Sequence, residues 1–420
     1  MNRKDDDNWF ESVQAELARM QFLAQNQVDP RLYLTARRLA AAGSGLGQRW
    51  HQELLRRALA NQVRMKYYVP PAIDPTRDLV LGYLCDRPVP VGVPLTSPVR
   101  ILVAGSSGSG KTNAIFHLLA QLRRRSIKTF VWEYKPELRR VIPWWNDAIL
   151  FTPRNAPWQY LKPVGPDPLA YYVGIFGEIR IEFQLRPETV PLAWQIIERM
   201  LRGMRPGDPF FSWSDLERVF EAEAVAQGRE NLFTLARAIL SICTVLGPQA
   251  AAREVPDITG RYNVIGYSFV GQDPAIYRLF LGFEFTRLLF SAEEQGHTTE
   301  FRRLYVFDEG SVIFGSELMQ RGVAHISAAK RFLSMSRFTG SGFVVGVQNL
   351  CELDPFVTQN CDTFVVFRCP SFEDATLAAR MLGLEPSAVD ELMHLPVGVA
   401  LIRAADWERP VKIQVPLFEP

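Results

Sequence analysis

The sequence is poor in the residues from which metal centres and disulfide scaffolds are built. Its 420 residues include five cysteines and five histidines. The cysteines are odd in number and scattered, without a C-x-x-C pair. This pattern predicts reduced thiols and excludes a disulfide framework or a zinc site with the usual ligand spacing. A Gly-x-Ser-x-Gly elbow is also missing, which excludes the nucleophile of an α/β-hydrolase.

Long apolar runs and a strong charge of either sign are missing too. The sequence has no run of about 18 apolar residues, so it predicts no membrane-spanning helix. The acidic start Met1–Asp7 is not followed by the apolar core of a signal peptide. We therefore expect a cytoplasmic protein without a direct membrane span, which a membrane complex could still recruit. The net charge of +2 indicates no nucleic-acid partner by itself, although a local basic channel is compatible with it.

The chain does contain a regular alternation of strand and helix patterns in an ordinary globular composition, with 47% hydrophobic and 22% charged residues. Such alternation predicts an α/β fold with a mainly parallel sheet and helices on both faces. The predicted strands are Leu79–Leu84, Val89–Val93, Ile101–Ala104, Lys128–Glu133, Ala148–Phe151, Glu178–Leu185, Tyr262–Tyr267, Leu304–Phe307, Gly342–Val347, Thr363–Arg368 and Val399–Arg403.

A glycine-rich loop between the apolar run Ile101–Ala104 and the amphipathic helix Asn113–Leu122 carries the strongest signal. Gly105, four residues and then Gly110-Lys111-Thr112 form the full P-loop pattern in its strand-then-helix context. Glycines let backbone N–H groups wrap phosphates, and the helix N-terminus adds its positive dipole end. We predict nucleotide-binding roles for Gly105, Ser106, Ser107, Gly108, Ser109, Gly110, Lys111, Thr112 and Asn113.

The P-loop pattern also assigns individual roles and cofactors. Lys111 is expected to reach the β- and γ-phosphates and to act in catalysis, and the Thr112 hydroxyl is expected to ligate Mg²⁺. The sequence therefore predicts that the protein binds ATP and Mg²⁺.

Two adjacent acids follow the hydrophobic strand Leu304–Phe307. In P-loop ATPases the first acid of such a pair, here Asp308, holds Mg²⁺. The second, Glu309, can polarise water for attack on the γ-phosphate as a general base. An apolar strand that ends in Asp-Glu is common by itself. The prediction therefore requires that this strand lie beside the P-loop strand.

A glutamine and an arginine complete the candidate site. Gln348 ends the strand Gly342–Val347 and could sense the γ-phosphate or position the water, because strand ends line the ligand crevice of an open α/β sheet. Arg337 could stabilise transition-state charge from a neighbouring subunit. Lys330 and Arg331 compete with Arg337 for that role, and Arg368 is a weaker candidate for the same crevice.

The order of these motifs resembles the HerA/FtsK superfamily of hexameric RecA-like motors. The resemblance covers residues 79–415 and includes Glu133-Tyr134-Lys135-Pro136-Glu137 after the second core strand. It also includes Val306-Phe307-Asp308-Glu309, Ser336-Arg337 and Leu395–Ala400. It implies a RecA-like P-loop NTPase core and a homo-oligomeric ring, with a hexamer favoured.

The resemblance leaves three functions open. The favoured one is an ATP-driven DNA translocase, with a nuclease as a possible partner. The first alternative is a soluble ATPase of a conjugation or type IV secretion machine that moves DNA or protein across a membrane. The second is a nucleotide-gated assembly switch with negligible turnover, which has no need of the water-activating Glu309.

Local patterns predict the boundaries of four regions. Asp29 is expected to cap a helix that begins at Pro30, and the basic helical face of residues 31–66 is either solvated or in contact with phosphates. The regions are a helical N-terminal region (1–70), the first part of the ATPase core (71–187), an all-helical insertion (188–255) and the second part of the core (256–420).

Three helices are expected in the insertion and one long helix after it. The insertion helices are Leu192–Met204, a helix Asp215–Ala226 with Ser214 and Glu217 as its capping box, and Asn231–Leu246, which Gly247 ends. The long helix begins at Asp273-Pro274 and ends at about Ser291.

Overall fold

The structure, a computed structural model, describes Met20 and residues 30–66, 70–86, 88–125, 127–137, 140–156, 160–205, 208–253, 258–316 and 328–419. The chain divides into two compact units, Met1–Pro70 and Pro71–Pro420. Asp29, the predicted cap of the first helix, lies outside the described residues.

The first unit contains a helical hairpin. Its described helices are α1 (Pro30–Ala41) and α2 (Gly45–Lys66). Helix α1 is described from Pro30, the predicted start, and the fixed φ of proline suits a first helical turn. The connection to α2 contains Gly43 at φ 81°, a conformation that glycine adopts without steric cost. Tyr33, Ala36 and Leu54 form a small buried core between the two helices.

The second unit is organised around one sheet of eleven strands. The strands are β1 (Leu79–Leu84), β2 (Pro90–Val93), β3 (Arg100–Ala104), β4 (Lys128–Glu133), β5 (Ala148–Phe151), β6 (Val264–Ser268), β7 (Thr298–Phe307), β8 (Thr339–Val347), β9 (Thr363–Val366), β10 (Val399–Ala404) and β11 (Val411–Gln414). Their order in the sheet is β2-β1-β11-β10-β9-β3-β8-β7-β4-β6-β5. All except the short β11 overlap predicted strands.

The seven strands that lie in the order β9-β3-β8-β7-β4-β6-β5 are parallel to one another, which confirms the predicted parallel core. Strands of this kind are buried on both faces and read as continuous apolar runs. β8 is buried along its whole length, and Trp132, Tyr305 and Phe343 belong to the same large core. The other four strands, from β2 to β10, join this core through antiparallel pairs at one side.

The described helices of the second unit connect these strands. They are α3 (Lys111–Arg124), α4 (Pro168–Glu182), α5 (Thr189–Gly203), α6 (Trp213–Gln227), α7 (Glu230–Leu246), α8 (Pro274–Gln295), α9 (Gly310–Phe314), α10 (Ala328–Met335), α11 (Pro355–Asn360), α12 (Phe372–Leu382) and α13 (Ala388–His394). Helix α8 begins at Pro274, as predicted, and the Asp273 side chain caps it by accepting a hydrogen bond from Ala275 N.

The strand predicted at Glu178–Leu185 is wrong, because this stretch belongs largely to α4. The alternation of apolar and polar residues from Glu178 to Phe183 imitates a strand. The helix begins ten residues earlier, at Pro168, where Asp167 accepts a hydrogen bond from Ala170 N. Residues 174–179 are all buried, so this part of α4 is packed on every side and its tertiary contacts decide the conformation.

The predicted capping box of α6 is displaced by two residues. Ser212 is the N-cap, and Ser212 and Asp215 exchange the two hydrogen bonds of the box. The Ser-x-x-acid pattern occurs twice in succession, as Ser212/Asp215 and Ser214/Glu217, so the sequence does not decide between them. Burial of Trp213 as the first helical residue selects the earlier pair.

One helical stretch, Glu230–Ala251, is long and apolar enough to span a membrane, although the sequence led us to expect no such segment. Less than half of its most apolar window is buried (44%). Within it, α7 buries Leu232, Leu235, Ile239 and Ile242, at helical spacing, in the core of the second unit. Core helices of globular domains have this apolar character as well.

Candidate active site

The parallel strands bring their following loops to one edge of the sheet, here called the carboxyl edge. The loops after β3, β4, β7, β8 and β9 all leave from it, because parallel strands end on the same side. These loops carry the residues Gly105–Gly110, Tyr134 and Lys135, Asp308 and Glu309, Gln348, and Arg368.

The expected side-by-side placement of the P-loop strand and the acid strand is wrong. β8 lies between β3 and β7 and pairs with both. At a strand spacing of about 4.8 Å, β3 and β7 are therefore about 10 Å apart. Gln348 directly follows β8, so it lies at the carboxyl edge between the phosphate loop and the acid pair.

Three glycines give the P-loop its shape. Gly105, Gly108 and Gly110 have φ values of 145°, 72° and 121°, a region that side-chain-bearing residues rarely adopt. A Cβ atom at Gly105 would lie 2.8 Å from Cβ of Phe367. Another residue at this position would both strain the loop and push it away from the end of β9.

Backbone hydrogen bonds hold the loop against both neighbouring strands. Gly105 N donates to Val347 O at 3.2 Å, at the end of β8, and Ser106 N donates to Arg368 O at 2.8 Å, after β9. The start of the loop is therefore attached to β8 and to the segment after β9 before any ligand binds.

The serines of the loop occupy different environments. Ser107 and Gly108 form an exposed tip, whereas Ser109 is buried, donates from Oγ to Ser106 O at 2.7 Å and accepts at its carbonyl from Gly398 N. The Ser106 hydroxyl is buried and has no hydrogen-bond partner among the residues that the structure describes. A buried hydroxyl of this kind favours a polar ligand beside the loop.

Helix α3 directs free amides toward the loop. Its first intrahelical bond in the described structure runs from Ala114 N to Gly110 O. The N–H groups of Lys111, Thr112 and Asn113 precede this bond, and such first-turn amides lack helical acceptors. The arrangement fits a phosphate chain, because the amides and the helix dipole both favour negative charge.

Lys111 folds back over the loop. Its Nζ donates to Gly105 O at 2.6 Å and to Ser106 O at 2.9 Å. Burial lowers the pKa of this ammonium to about 8, with Lys135 acting in the same direction and Glu309 opposing it. The lysine is therefore short of negative charge in this state, as expected of a group whose full partner is a phosphate.

Asp308 is held by the chain that follows β4. Its Oδ1 accepts from Tyr134 N at 2.9 Å, and its Oδ2 accepts from Lys135 N at 3.1 Å. Burial raises the pKa of this carboxyl to about 7, although the two amide bonds lower it. A single carboxylate with the half-buried Thr112 hydroxyl matches the donor set of Mg²⁺, which takes one or two carboxylates and substrate phosphates.

Glu309 is buried and fully engaged. One carboxylate oxygen, Oε2, pairs with Lys135 Nζ, and the other, Oε1, accepts from Ser311 Oγ at 3.1 Å. Glu309 also directly precedes α9, which begins at Gly310. These contacts fix the orientation of the carboxylate beside Asp308.

The side chain of Asn113 is engaged away from the phosphate loop. Its Nδ2 donates to Pro416 O at 2.8 Å, and its Oδ1 accepts from Phe418 N at 2.7 Å. The Phe418 ring packs on the P-loop helix, with its centroid 5.8 Å from that of Phe116. Any nucleotide contact of Asn113 would therefore use the main-chain amide.

Arg337 lies at the opposite edge of the sheet, here called the amino edge. It sits in a short 3₁₀ turn just before β8, is half exposed, and lies 4.0 Å from the carboxylate of Asp362. Its competitors are on α10, where Lys330 Nζ lies 6.0 Å from the ring centroid of Phe356. The structure does not bring Arg337 to the P-loop of its own chain.

The predictions from the sequence missed two features of the site. One is the ammonium of Lys135, whose signal in the sequence is its place directly after the buried strand β4. The other is the segment Pro416–Phe418, which contacts Asn113 across more than 300 residues. A contact at such separation leaves no local pattern in the sequence.

Comparisons with known proteins agree with this architecture. No protein-family model matches the sequence, and no curated protein matches it. VirB4 of Thermoanaerobacter pseudethanolicus superposes with a TM-score of 0.65 at 12% identity, over 83% of this chain and 99% of that chain. The bacterial conjugative coupling protein TrwB superposes with a TM-score of 0.58 at 14% identity, over 82% and 90%.

A complex of TrwB with ADP and Mg²⁺ also matches, with a TM-score of 0.55 at 13% identity over 85% of this chain and 92% of that one. At such identities the similarity concerns the fold. This chain has the RecA-like ATPase fold of VirB4 and TrwB, which confirms the predicted fold class.

Proposed function

We propose that this chain is an ATP-hydrolysing ring motor that translocates DNA. The observation that carries the proposal is the meeting of a complete P-loop with the Asp308–Glu309 pair and Gln348 at the carboxyl edge of one sheet. A protein that only binds nucleotide needs the loop but not the water-activating acid. The geometry thus favours turnover over the nucleotide-gated switch.

Each residue then has a role in hydrolysis. Residues Gly105–Asn113 bind the phosphates, with Lys111 on the β- and γ-phosphates. Glu309 accepts the proton of the attacking water, and Gln348 contacts the γ-phosphate or that water. Thr112 and Asp308 would hold Mg²⁺, which would neutralise charge on the phosphate oxygens.

Arg337 acts from the next subunit in this proposal. Its position at the amino edge supports a role in trans, because the nine residues of β8 separate it from Gln348 in the same chain, about 30 Å at about 3.3 Å per residue. A homo-oligomeric ring, with a hexamer favoured, would place one subunit's amino edge at its neighbour's carboxyl edge.

A second candidate function is supported equally well: an ATPase of a conjugation or type IV secretion machine that moves DNA or protein across a membrane. It is favoured by the two matched folds, VirB4 and the conjugative coupling protein TrwB. In either case we propose a cytoplasmic protein that a partner, a nuclease or a secretion complex, can recruit. Residues 71–187 and 256–420 would form the motor, 188–255 its insertion, and 1–70 a docking region.

ATP hydrolysis by the full chain, measured with and without double-stranded or single-stranded DNA, tests the proposal. Strong stimulation by DNA supports the translocase, and a flat response with turnover supports the secretion ATPase. Lys111→Ala is the control for contaminating ATPases and should show no activity. Absence of turnover in the wild-type protein, with nucleotide binding intact, would contradict both motor functions and support the switch.

A further inference from the structure

Lys135 contacts both acids of the candidate site, and the roles proposed above leave its ammonium without a function. Its main-chain amide donates to Asp308 Oδ2 at 3.1 Å, and its Nζ pairs with Glu309 Oε2. The backbone of Lys135 is therefore fixed at the metal-binding acid, while its side chain holds the proposed general base.

The two partners of this ion pair differ in burial. The side chain of Glu309 is 7% exposed, whereas that of Lys135 is 42% exposed. A buried carboxylate is stable only with a charged or hydrogen-bonding partner, so Lys135 stabilises Glu309 in the state described here. The lysine has a flexible stem with one side toward solvent. It is therefore the partner that can move.

The ammonium of Lys135 also lies within electrostatic reach of the phosphate site. Burial lowers the pKa of Lys111, whose Nζ lies on the P-loop carbonyls, and Lys135 acts in the same direction whereas Glu309 opposes it. A γ-phosphate bound by Lys111 would bring a multiply charged acceptor into this cluster. Phosphate oxygens accept charge-assisted hydrogen bonds as strongly as a carboxylate does, so the phosphate competes with Glu309 for Lys135.

We propose that Lys135 is a positioning residue that responds to the γ-phosphate. In the nucleotide-free chain it holds Glu309. When a triphosphate binds, its ammonium exchanges Glu309 for the γ-phosphate and frees the carboxylate for the attacking water. A diphosphate lacks the group that drives this exchange, so ADP leaves the ion pair intact. The inference rests on the proposed function.

The test compares the affinities of fluorescent mant-ADP and mant-AMP-PNP, both with Mg²⁺, for the full chain and its variants. Lys135→Ala should weaken binding of the triphosphate analogue about tenfold, the value of one charge-assisted contact, and leave ADP binding unchanged. Lys135→Arg should retain part of the preference. Lys412→Ala is the matched control, because Lys412 has a similar exposure (43%) and a carboxylate partner, Glu391, outside the site.

A double-mutant cycle separates exchange from simple phosphate binding. Glu309→Gln removes the competing carboxylate, so it should strengthen binding of the triphosphate analogue, by about fivefold for a coupling of about 1 kcal/mol. Lys135→Ala in the Glu309→Gln background should abolish that gain. If Lys135 exchanges partners, the double variant must lose the gain in affinity. The gain comes from the Lys135 ammonium that Glu309 no longer holds.

Two results would overturn the inference. One is an equal loss of affinity for both nucleotides in Lys135→Ala, which is the signature of a merely structural lysine. The other is additivity of the two substitutions in the cycle. Neither result touches the proposed function, which fails separately if the wild-type chain has no ATPase activity.

Discussion

The two edges of the parallel sheet carry different chemistry although the same strands form both. At the carboxyl edge, glycines, free amides and the ammonium of Lys111 stand opposite Asp308 and Glu309. At the amino edge, Asp362 accepts from Arg100 Nε at 3.1 Å and lies 4.0 Å from Arg337. One edge is arranged to hold a phosphate chain, and the other presents a half-exposed arginine.

Under the proposed function, the separation of the two edges explains why one chain alone would lack the arginine of its site. The strands are rigid and keep their two ends apart, so Arg337 cannot reach the P-loop of its own chain without unfolding β8. Arg337 is half exposed and lies 4.0 Å from the carboxylate of Asp362, so it remains available to a second copy. The comparison therefore predicts that substitutions at the carboxyl edge act within a subunit and substitutions at the amino edge act between subunits.

Glu309→Gln should produce the largest loss of turnover among the substitutions that leave nucleotide binding intact. The amide cannot take up the proton of the attacking water, so kcat should fall by up to about 10⁴, while bound ATP is retained. Rapid filtration of bound radiolabelled ATP and a phosphate-release assay measure both effects, with Lys111→Ala as the variant that loses binding. Normal hydrolysis by Glu309→Gln would show that another group is the base.

Arg337→Ala should reduce kcat by about 10³, the effect of removing a trans arginine, with nucleotide affinity nearly unchanged. Mixing Arg337→Ala with Lys111→Ala subunits should restore part of the activity, because an interface with an intact P-loop and an intact arginine then re-forms. Arg302→Ala serves as control. Arg302 is also half exposed and pairs with Glu300, and both residues are on β7, the strand beside β8. Absence of rescue would place the action of Arg337 within its own subunit.

Glu178→Gln should change stability rather than catalysis. Glu178 accepts from Ala328 N at 2.9 Å, at the start of α10, which leads toward Arg337. Burial raises its pKa from 4.5 to about 7. Folding therefore favours the protonated carboxyl. The stability that this group contributes is fully present below about pH 4.5 and is lost as pH rises through about 7, by at most about 3 kcal/mol.

The amide introduced by Glu178→Gln would keep the hydrogen-bond acceptor without the charge. Urea denaturation should therefore show a stabilisation by this substitution that is larger at pH 8 than at pH 5.5. Glu300→Gln, on an exposed residue, should show no such trend. A stabilisation that does not depend on pH would show that folding does not raise the pKa of Glu178.

Asn113→Ala should have the smallest effect. It removes the two hydrogen bonds that hold Pro416 and Phe418, a loss of about 1 kcal/mol at a half-buried site, and should speed hydrogen exchange of the Phe418 amide. Asn113→Asp should restore only the bond from Phe418 N. ATP affinity should stay within about twofold if only the main-chain amide meets phosphate, and a tenfold loss would show that the side chain binds nucleotide.

Much of the fold was predictable because its signals are local. The buried strands of the parallel core are continuous apolar runs, and the P-loop is recognised over eight consecutive residues. The errors also have local causes. Glu178–Leu185 alternates like a strand over six residues, although its helix begins at Pro168, and two overlapping Ser-x-x-acid patterns compete at Ser212 and Ser214.

The sequence by itself determined which chemical groups the site contains: the Gly105–Thr112 loop, the Asp308–Glu309 pair and Gln348, since each follows an apolar strand that must be buried. Only the tertiary structure decided their arrangement. It placed β8 between the loop and the acids, joined Lys135 to Glu309, and left Arg337 at the far edge. Strand order, ion pairs and separation across a sheet depend on contacts between residues distant in the chain, which no local pattern encodes.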